Sequence, residues 1–199
     1  VEVDIARGLP AFATVGLPEA AVRESKERVK AAIKNAGYHF PSDRITVNLA
    51  PADIRKEGSA FDLPMALGIL GATALFKREA YGACMFLGEL ALDGLIRPVK
   101  GALPMAITAK NRGFKGLYLP AENAPEAAVV EGIDIYPVET LSQVVGALRR
   151  IAPITRLASD VGSLFPKARS EVDFRDIKGQ ESAKRAMEIS AAGGHNLIM

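Results

Sequence analysis

An α+β fold, in a two-layer α/β arrangement, is what the sequence predicts, and three observations carry that expectation. Short runs such as residues 1–5 and 45–49 alternate apolar and polar side chains with the period of a half-buried strand. Longer runs with helical periodicity lie between them, so strands and helices interleave along the chain. Gly and Pro punctuate the junctions, at Gly8, Pro10, Gly37, Pro51, Gly58, Pro98 and Gly101.

Taken in order, residues 1–5 read as a strand, Gly8-Leu9-Pro10 as a turn, and residues 11–15 as the returning partner. Pro18 opens a helix that runs to about Asn35 and stops at Gly37. Val22, Val29, Ile33 and Ala36 share one face of it. Arg23, Lys26, Lys30 and Lys34 fall within about 80° of one another at about 100° per residue, a stripe that could meet phosphates. Glu19 and Glu27 share that sector and Glu24 pairs with Arg28 at i,i+4, which favours a solvated, self-neutralised face.

Residues 45–70 are the stretch around which the rest is organised. Ile45, Val47 and Leu49 alternate with Thr46 and Asn48 as a strand, and a charged loop follows, carrying Asp53, Arg55, Lys56 and Glu57. Asp62 suits a helix N-cap, with Pro64 just inside the first turn. Leu63, Met65, Ala66, Leu67, Ile69 and Leu70 then predict a helix buried nearly all round. A helix start entered from a glycine-bearing loop is a place for a nucleophile or an anion.

Residues 84–92 read as a strand in which Cys84 is buried and unreactive. Asp93-Gly94 signals a two-residue hairpin, returning through Leu95-Ile96. A helix over 103–111, a strand over 115–119, a helix over 122–131, a strand over 133–138 and a helix capped by Thr140 follow. Periodicity fails from 152 to 172, where Pro153, Gly162 and Pro166 mark a linker. A second unit starts at Asp173, with a helix from Gln180, a stop at Gly193-Gly194 and a strand over 196–199. The expected division is therefore a domain over 1–151, a linker over 152–172 and a second unit over 173–199.

Composition limits the function. With 49% apolar residues and no Trp the 199-residue chain is globular in character, and a net charge of +2 is too small to argue for nucleic acid by itself. One cysteine excludes an internal disulfide framework and fits a reducing, cytoplasmic compartment. No signal peptide or bilayer-spanning apolar run is present, so no membrane partner is expected. His39, His195 and Cys84 lack metal-ligand spacing, and no metal site is predicted. The absence of an initiator Met and the ending at Leu197-Ile198-Met199 read as a piece of a longer chain.

The tail carries a first resemblance. Asp176-Ile177-x-Gly179-Gln180, a helix, Gly193-Gly194-His195-Asn196 and an apolar strand resemble the start of an AAA+ ATPase module, whose strand leads into the Walker A loop. That likeness places Ile177, Gly179 and Gln180 on the adenine side. The phosphate loop lies beyond Met199, so no cofactor and no nucleotide affinity are expected here, with ATP and Mg belonging to the full-length parent.

Three longer stretches, GLPAFATVGLPEAAVRESKERVKAAI, NLAPADIRKEGSAFDLPMALGIL and GELALDGLIRPVKGALP, are similar to the magnesium-chelatase-like AAA+ proteins of the ComM/YifB type. The resemblance implies a bacterial, ring-forming ATPase implicated in DNA branch migration during natural transformation (competence). It also implies a first domain similar to the proteolytic domain of Lon and to the C-terminal domain of the recombination protein RadA, with a ribosomal protein S5 domain 2-like fold. Family members begin some residues earlier, so a first strand is expected to be missing.

The Lon likeness allows the chemistry to be checked residue by residue. The protease nucleophile lies in a K-D-G-P-S-A-G loop and its lysine base in P-I-G-G-L-K. Lys56-Glu57-Gly58 laid on the first pattern places Ser59 at the Pro position and Ala60 at the nucleophile. Gly88 to Gly101 laid on the second places Leu103 at the lysine. A Ser–Lys dyad needs a hydroxyl and an amine within reach, and Ala60 and Leu103 supply neither. A dyad shifted to Ser59 and Lys100 is disfavoured, because one residue at a helix start turns a side chain by about 100°. Neither protease nor ATPase activity is expected of this chain. The reading that follows is a non-catalytic domain that helps assemble the ring and contacts DNA. Arg23, Lys26, Lys30, Lys34, Arg44, Arg55 and Lys56 are its candidate phosphate contacts. The alternatives are a peptide-binding or residual Ser/Lys protease-like domain, and a scaffold without ligand.

Overall fold

A computed structural model describes residues 1–51, 53–56, 58–158 and 173–198. They fall into two compact units, the first holding the described residues to 158 and the second those from 173.

In the first unit β1 (Glu2–Ala6) and β2 (Ala11–Val15) do not pair with each other, contrary to the expected return strand. β3 (Arg44–Asn48) lies between them, antiparallel to β1 with Val3 opposite Val47, and parallel to β2 with Phe12 opposite Ile45. Burial explains the insertion. Ile45, Val47 and Leu49 are almost wholly buried, whereas β1 and β2 each keep one exposed face, so the most apolar strand takes the centre. α1 (Ala20–Asn35) makes the crossover that a parallel β2–β3 pair requires. Where the chain leaves β2, Gly16 (φ +98°) passes so close to β3 that a Cβ would lie 2.3 Å from the carbonyl oxygen of Leu49.

α2 (Asp62–Ala72) is buried nearly all round, as its sequence predicts, with Leu63, Met65, Ala66 and Ile69 fully enclosed. Gly68 lets it sit close on β1, since a Cβ there would meet Val3 Cγ2 at 2.6 Å. Val22, Val29, Ala32 and Ile33 of α1 complete this core, together with Leu141, Val144, Val145 and Leu148 of the last helix of the unit. Thr140 caps that helix as expected, its hydroxyl accepting from the Gln143 amide at 3.1 Å.

The strand expected over 84–92 is two strands. β4 (Cys84–Phe86) ends before Leu87-Gly88, and β5 (Glu89–Leu90) leaves for a ladder with β6 (Ile96–Arg97). Gly88 sits at the bend because a Cβ there would lie 2.6 Å from Ile96 Cγ2 and 3.5 Å from Leu63 Cβ. The turn at Asp93-Gly94 is also longer than a two-residue hairpin. The Ala91 amide donates to the Leu95 carbonyl and Gly94 adopts φ +88°, the three-residue loop with a left-handed glycine.

β4 is parallel to β7 (Gly116–Pro120), and β7 to β8 (Asp134–Val138). Leu117 and Leu119 of β7 meet a second core with Ala102, Ala106 and Ala109 of α3 (Ala102–Asn111) and with α4 (Ala124–Ala127). Tyr118 faces the other way, stacked between Phe86 and Tyr136 at ring separations of 4.9 and 4.6 Å and packed on the first core. This sheet is therefore covered on both sides, more than a strict two-layer arrangement, within a mixed fold of small sheets. The helix expected over 122–131 is only α4, preceded by a 3-10 turn at Ala121–Asn123, because the Val130 amide closes a tight turn onto Ala127 and Gly132 takes φ +85°. α5 (Leu141–Leu148) follows β8.

Of the linker expected over 152–172, residues 159–172 lie outside the described residues, Gly162 and Pro166 among them. Its first part runs back along β8, where the Leu157 amide donates to the Ile135 carbonyl at 2.8 Å and Arg156 pairs with Asp134 at 2.9 Å. In the second unit Asp173 closes a capping box over the turn Phe174–Asp176, and α6 (Glu181–Gly193) follows. The strand expected over 196–199 is not formed by residues 196–198, which find no pairing partner among the described residues; Met199 lies outside them. Among the described residues no helix is long and apolar enough to cross a membrane.

Candidate functional site

The loop expected to carry a nucleophile leads into α2 through a glycine turn. Gly58 (φ +77°) turns the chain into Ser59, the Asp62 amide closes onto the Ser59 carbonyl at 3.1 Å, and α2 begins. The loop is held against the start of β5 by two main-chain bonds, Gly88 to the Ala60 carbonyl at 3.2 Å and Leu63 to the Gly88 carbonyl at 3.0 Å. Ala60, expected at the position of the reacting hydroxyl, is 9% exposed. Leu103, expected at the position of the amine, is 38% exposed, its own amide donating to Glu126 at 2.9 Å. The neighbouring Ser59 hydroxyl donates to a Glu89 carboxylate oxygen, and Lys100 is a surface residue on the far side of Gly101 (φ +81°). The structure thus brings Ser59 together with Glu89, not with Lys100.

Asp62 departs from its expected role. It is the first residue of α2 rather than its cap, and its side chain makes no capping bond. The carboxylate is fully buried and faces α1 and β5 instead. It accepts from the Ser25 hydroxyl, from Arg28 Nε at 2.7 Å and Nη2 at 3.2 Å, and from the Leu90 amide at 3.2 Å. Arg28 was read as the partner of Glu24; its principal ion pair is with Asp62, which raises its pKa mainly through that hydrogen bond, against a smaller opposing effect of burial. Ser25 was not singled out in the sequence. Its only signal is a hydroxyl on the apolar face of α1, between Val22 and Val29, where a polar group must find a buried partner.

Against Ala60 lies an apolar cavity of about 430 Å³, walled by Phe61, Leu67, Cys84, Met105 and Phe114 among others. Cys84 is half-buried rather than buried, and its thiol is pushed up, first by burial and then by Asp134. A raised pKa lowers the thiolate fraction and so the nucleophilicity of the thiol in this largely apolar cavity.

The candidate cations divide into two sets. Lys26, Lys30 and Lys34 come together along one cleft, with Phe12, Phe40 and Pro41 as its apolar floor. Arg23 and Arg55 do not line it; Arg23 Nε donates to the Pro18 carbonyl at 3.2 Å, and Arg55 sits 3.7 Å from Glu19. Arg44 is exposed on β3. Lys56 differs from its expected surface role, being 7% exposed with its ammonium donating to the Ile54 carbonyl at 2.6 Å and to that of Pro51.

In the second unit Ile177, Gly179 and Gln180 form an exposed turn ahead of α6, with Gly179 at φ +75° and Gln180 at φ +59°. Among the described residues no loop for phosphates accompanies them. Among the described residues no group of three or more His, Cys, Asp or Glu side chains gathers to hold a metal; His39 is exposed.

Residues 1–123 match the family model described as subunit ChlI of Mg-chelatase, and residues 173–199 that of magnesium chelatase, subunit ChlI. The chain is 42% identical over 200 residues to the uncharacterized protein YifB of Salmonella typhimurium, covering 100% of this chain and 38% of that protein. It is 41% identical over 201 residues to the competence protein ComM of Haemophilus influenzae, covering 100% of this chain and 39% of that one. Lon protease 2 of Bacillus subtilis is 32% identical over 122 residues, 60% of this chain and 21% of the protease. The chain therefore spans about two fifths of the length of its full-chain relatives.

Proposed function

Since this chain belongs to the Mg-chelatase subunit ChlI family, with relatives of the ComM/YifB type, we propose that it serves as the non-catalytic N-terminal part of a ring-forming AAA+ ATPase that works on DNA. In this reading residues 1–151 form a Lon-like, ribosomal S5 domain 2-like domain, 152–172 a linker and 173–199 the start of the ATPase module. ATP and Mg belong to the whole protein, which acts in the cytoplasm as a ring of identical subunits. In this reading its task is branch migration of recombining DNA, as the ComM/YifB resemblance implies; the name of the competence relative supports the link to transformation alone.

The observation that supports the reading is the presence of alkyl residues at the two positions where the Lon resemblance expects reactive groups. Ala60 and Leu103 hold alkyl groups where hydrolysis needs a hydroxyl and an amine, while the fold around them is kept by buried main-chain bonds. What such a domain can still offer is surface for neighbouring subunits and for DNA. The test is branch migration of a synthetic four-way junction by the full-length protein with ATP. Junction migration that depends on residues 1–151 supports the proposal. ATP hydrolysis without any junction migration overturns it.

A second reading, peptide binding, is favoured by the apolar cavity against Ala60. It requires apolar peptides to protect Cys84 from alkylation, which the DNA reading does not.

A further inference from the structure

We propose that the cleft between α1, the outer edge of β2 and residues 40–43 is a seat for single-stranded DNA, a claim that rests on the DNA reading above. Lys26, Lys30 and Lys34 recur every four residues, so along α1 they stand about 6 Å apart. That interval is comparable to the separation of successive phosphates in an extended strand. Phe12 and Phe40 lie beneath them, stacked with ring centroids 6.3 Å apart and planes 10° from parallel, and Pro41 extends the apolar floor.

A row of cations beside aromatic carbon is the combination that single strands use, phosphates on the amines and bases on the rings. The cleft holds about 240 Å³, room for a base or two and not for a duplex, whose bases are already stacked on each other. Phe12 and Phe40 also pack on the first core and are half-buried, so a base would meet the part of the rings that the core leaves open, a contact an acidic peptide would not use. Two carboxylates weaken the field, Asp43 at the rim and Glu27, which pairs with Lys26 at 3.8 Å. Lys30 and Lys34, both exposed, are therefore the principal phosphate contacts.

The test is fluorescence anisotropy of a labelled oligothymidylate of about 16 nucleotides with this chain. Binding is expected near about 50 mM salt and weakens with added salt. Lys30→Gln with Lys34→Gln, changes at exposed positions whose folding is checked by circular dichroism, should weaken binding at least about tenfold and cut the salt slope by about 1.4. Phe40→Leu should weaken it about fivefold or more and leave that slope unchanged. Equal competition by a duplex of the same length, or by polyglutamate, overturns the proposal. So does wild-type affinity in the double lysine variant. Binding that instead depends on Arg23, Arg44 or Arg55 removes the cleft and keeps DNA contact by the domain. Absence of binding to either DNA form removes both.

Discussion

Replacing Asp62 by Ala separates two accounts of this residue. Were it an N-cap, the cost would be about 1 kcal/mol. In the structure the carboxylate is fully buried and satisfies the Leu90 amide at 3.2 Å and the Ser25 hydroxyl, both buried. The Leu90 amide would lose this buried acceptor at about 1–3 kcal/mol, whereas the Ser25 hydroxyl still accepts from Arg28 Nη2 at 3.0 Å. Breaking a buried ion pair costs about 3–5 kcal/mol, but the Arg28 side chain is 23% exposed and can turn toward water, so its share is the smaller one. About 3 kcal/mol is therefore expected for Asp62→Ala. The chain has no Trp, so urea unfolding is followed by far-UV circular dichroism, reading the midpoint at constant m-value. A double-mutant cycle with Ser25→Ala should return a coupling of about 1 kcal/mol, as expected for side chains in direct contact. A loss of 1 kcal/mol or less, additive with Ser25→Ala, would refute the network and restore the cap.

Gly16→Ala should cost about 2 kcal/mol or more, seen as a lowered melting temperature, because it combines φ +98° with a Cβ 2.3 Å from the Leu49 carbonyl oxygen. Iodoacetamide should alkylate Cys84 more slowly than free cysteine at the same pH. Burial raises the thiol pKa, so less thiolate is present at any given pH, and the rate should inflect above the ordinary value and recover in urea. Casein should survive incubation with the chain, and Ala60→Ser alone should not change that, because the residue at the base position is still the alkyl group of Leu103. Cleavage lost on Ser59→Ala would instead establish the shifted dyad.

Much of the element order was legible because periodicity reports local burial. α1, β3, α2 and α5 fall within a residue or two of expectation, and Thr140 caps as its type suggests. What was not legible depends on partners distant in sequence. Alternation in residues 1–15 shows two strands but not that a third, from residue 44, separates them. The apolar run after Cys84 shows no break at Gly88, since that break is imposed by Ile96 and Leu63 from other elements. The candidate site follows the same division. That Ala60 and Leu103 are alkyl residues was readable as residue type, whereas their correspondence to a dyad is what the Lon resemblance implies. The turn of Asp62 away from its own helix toward Ser25 and Arg28, and the withdrawal of Lys56 into its loop, are tertiary choices.

The place of β3 between β1 and β2 bears on how the protein is born. The mate that β1 and β2 share within this chain is not available to either until residues 44–48 have been translated. Until then Val3, Ile5 and Phe12 remain sticky and unshielded. Closing the loop through α1 is an entropic barrier that every nascent chain must cross before this sheet exists. Slow translation would favour that closure only once residues 44–48 have cleared the exit tunnel, whereas an earlier pause would prolong the aggregation-prone interval.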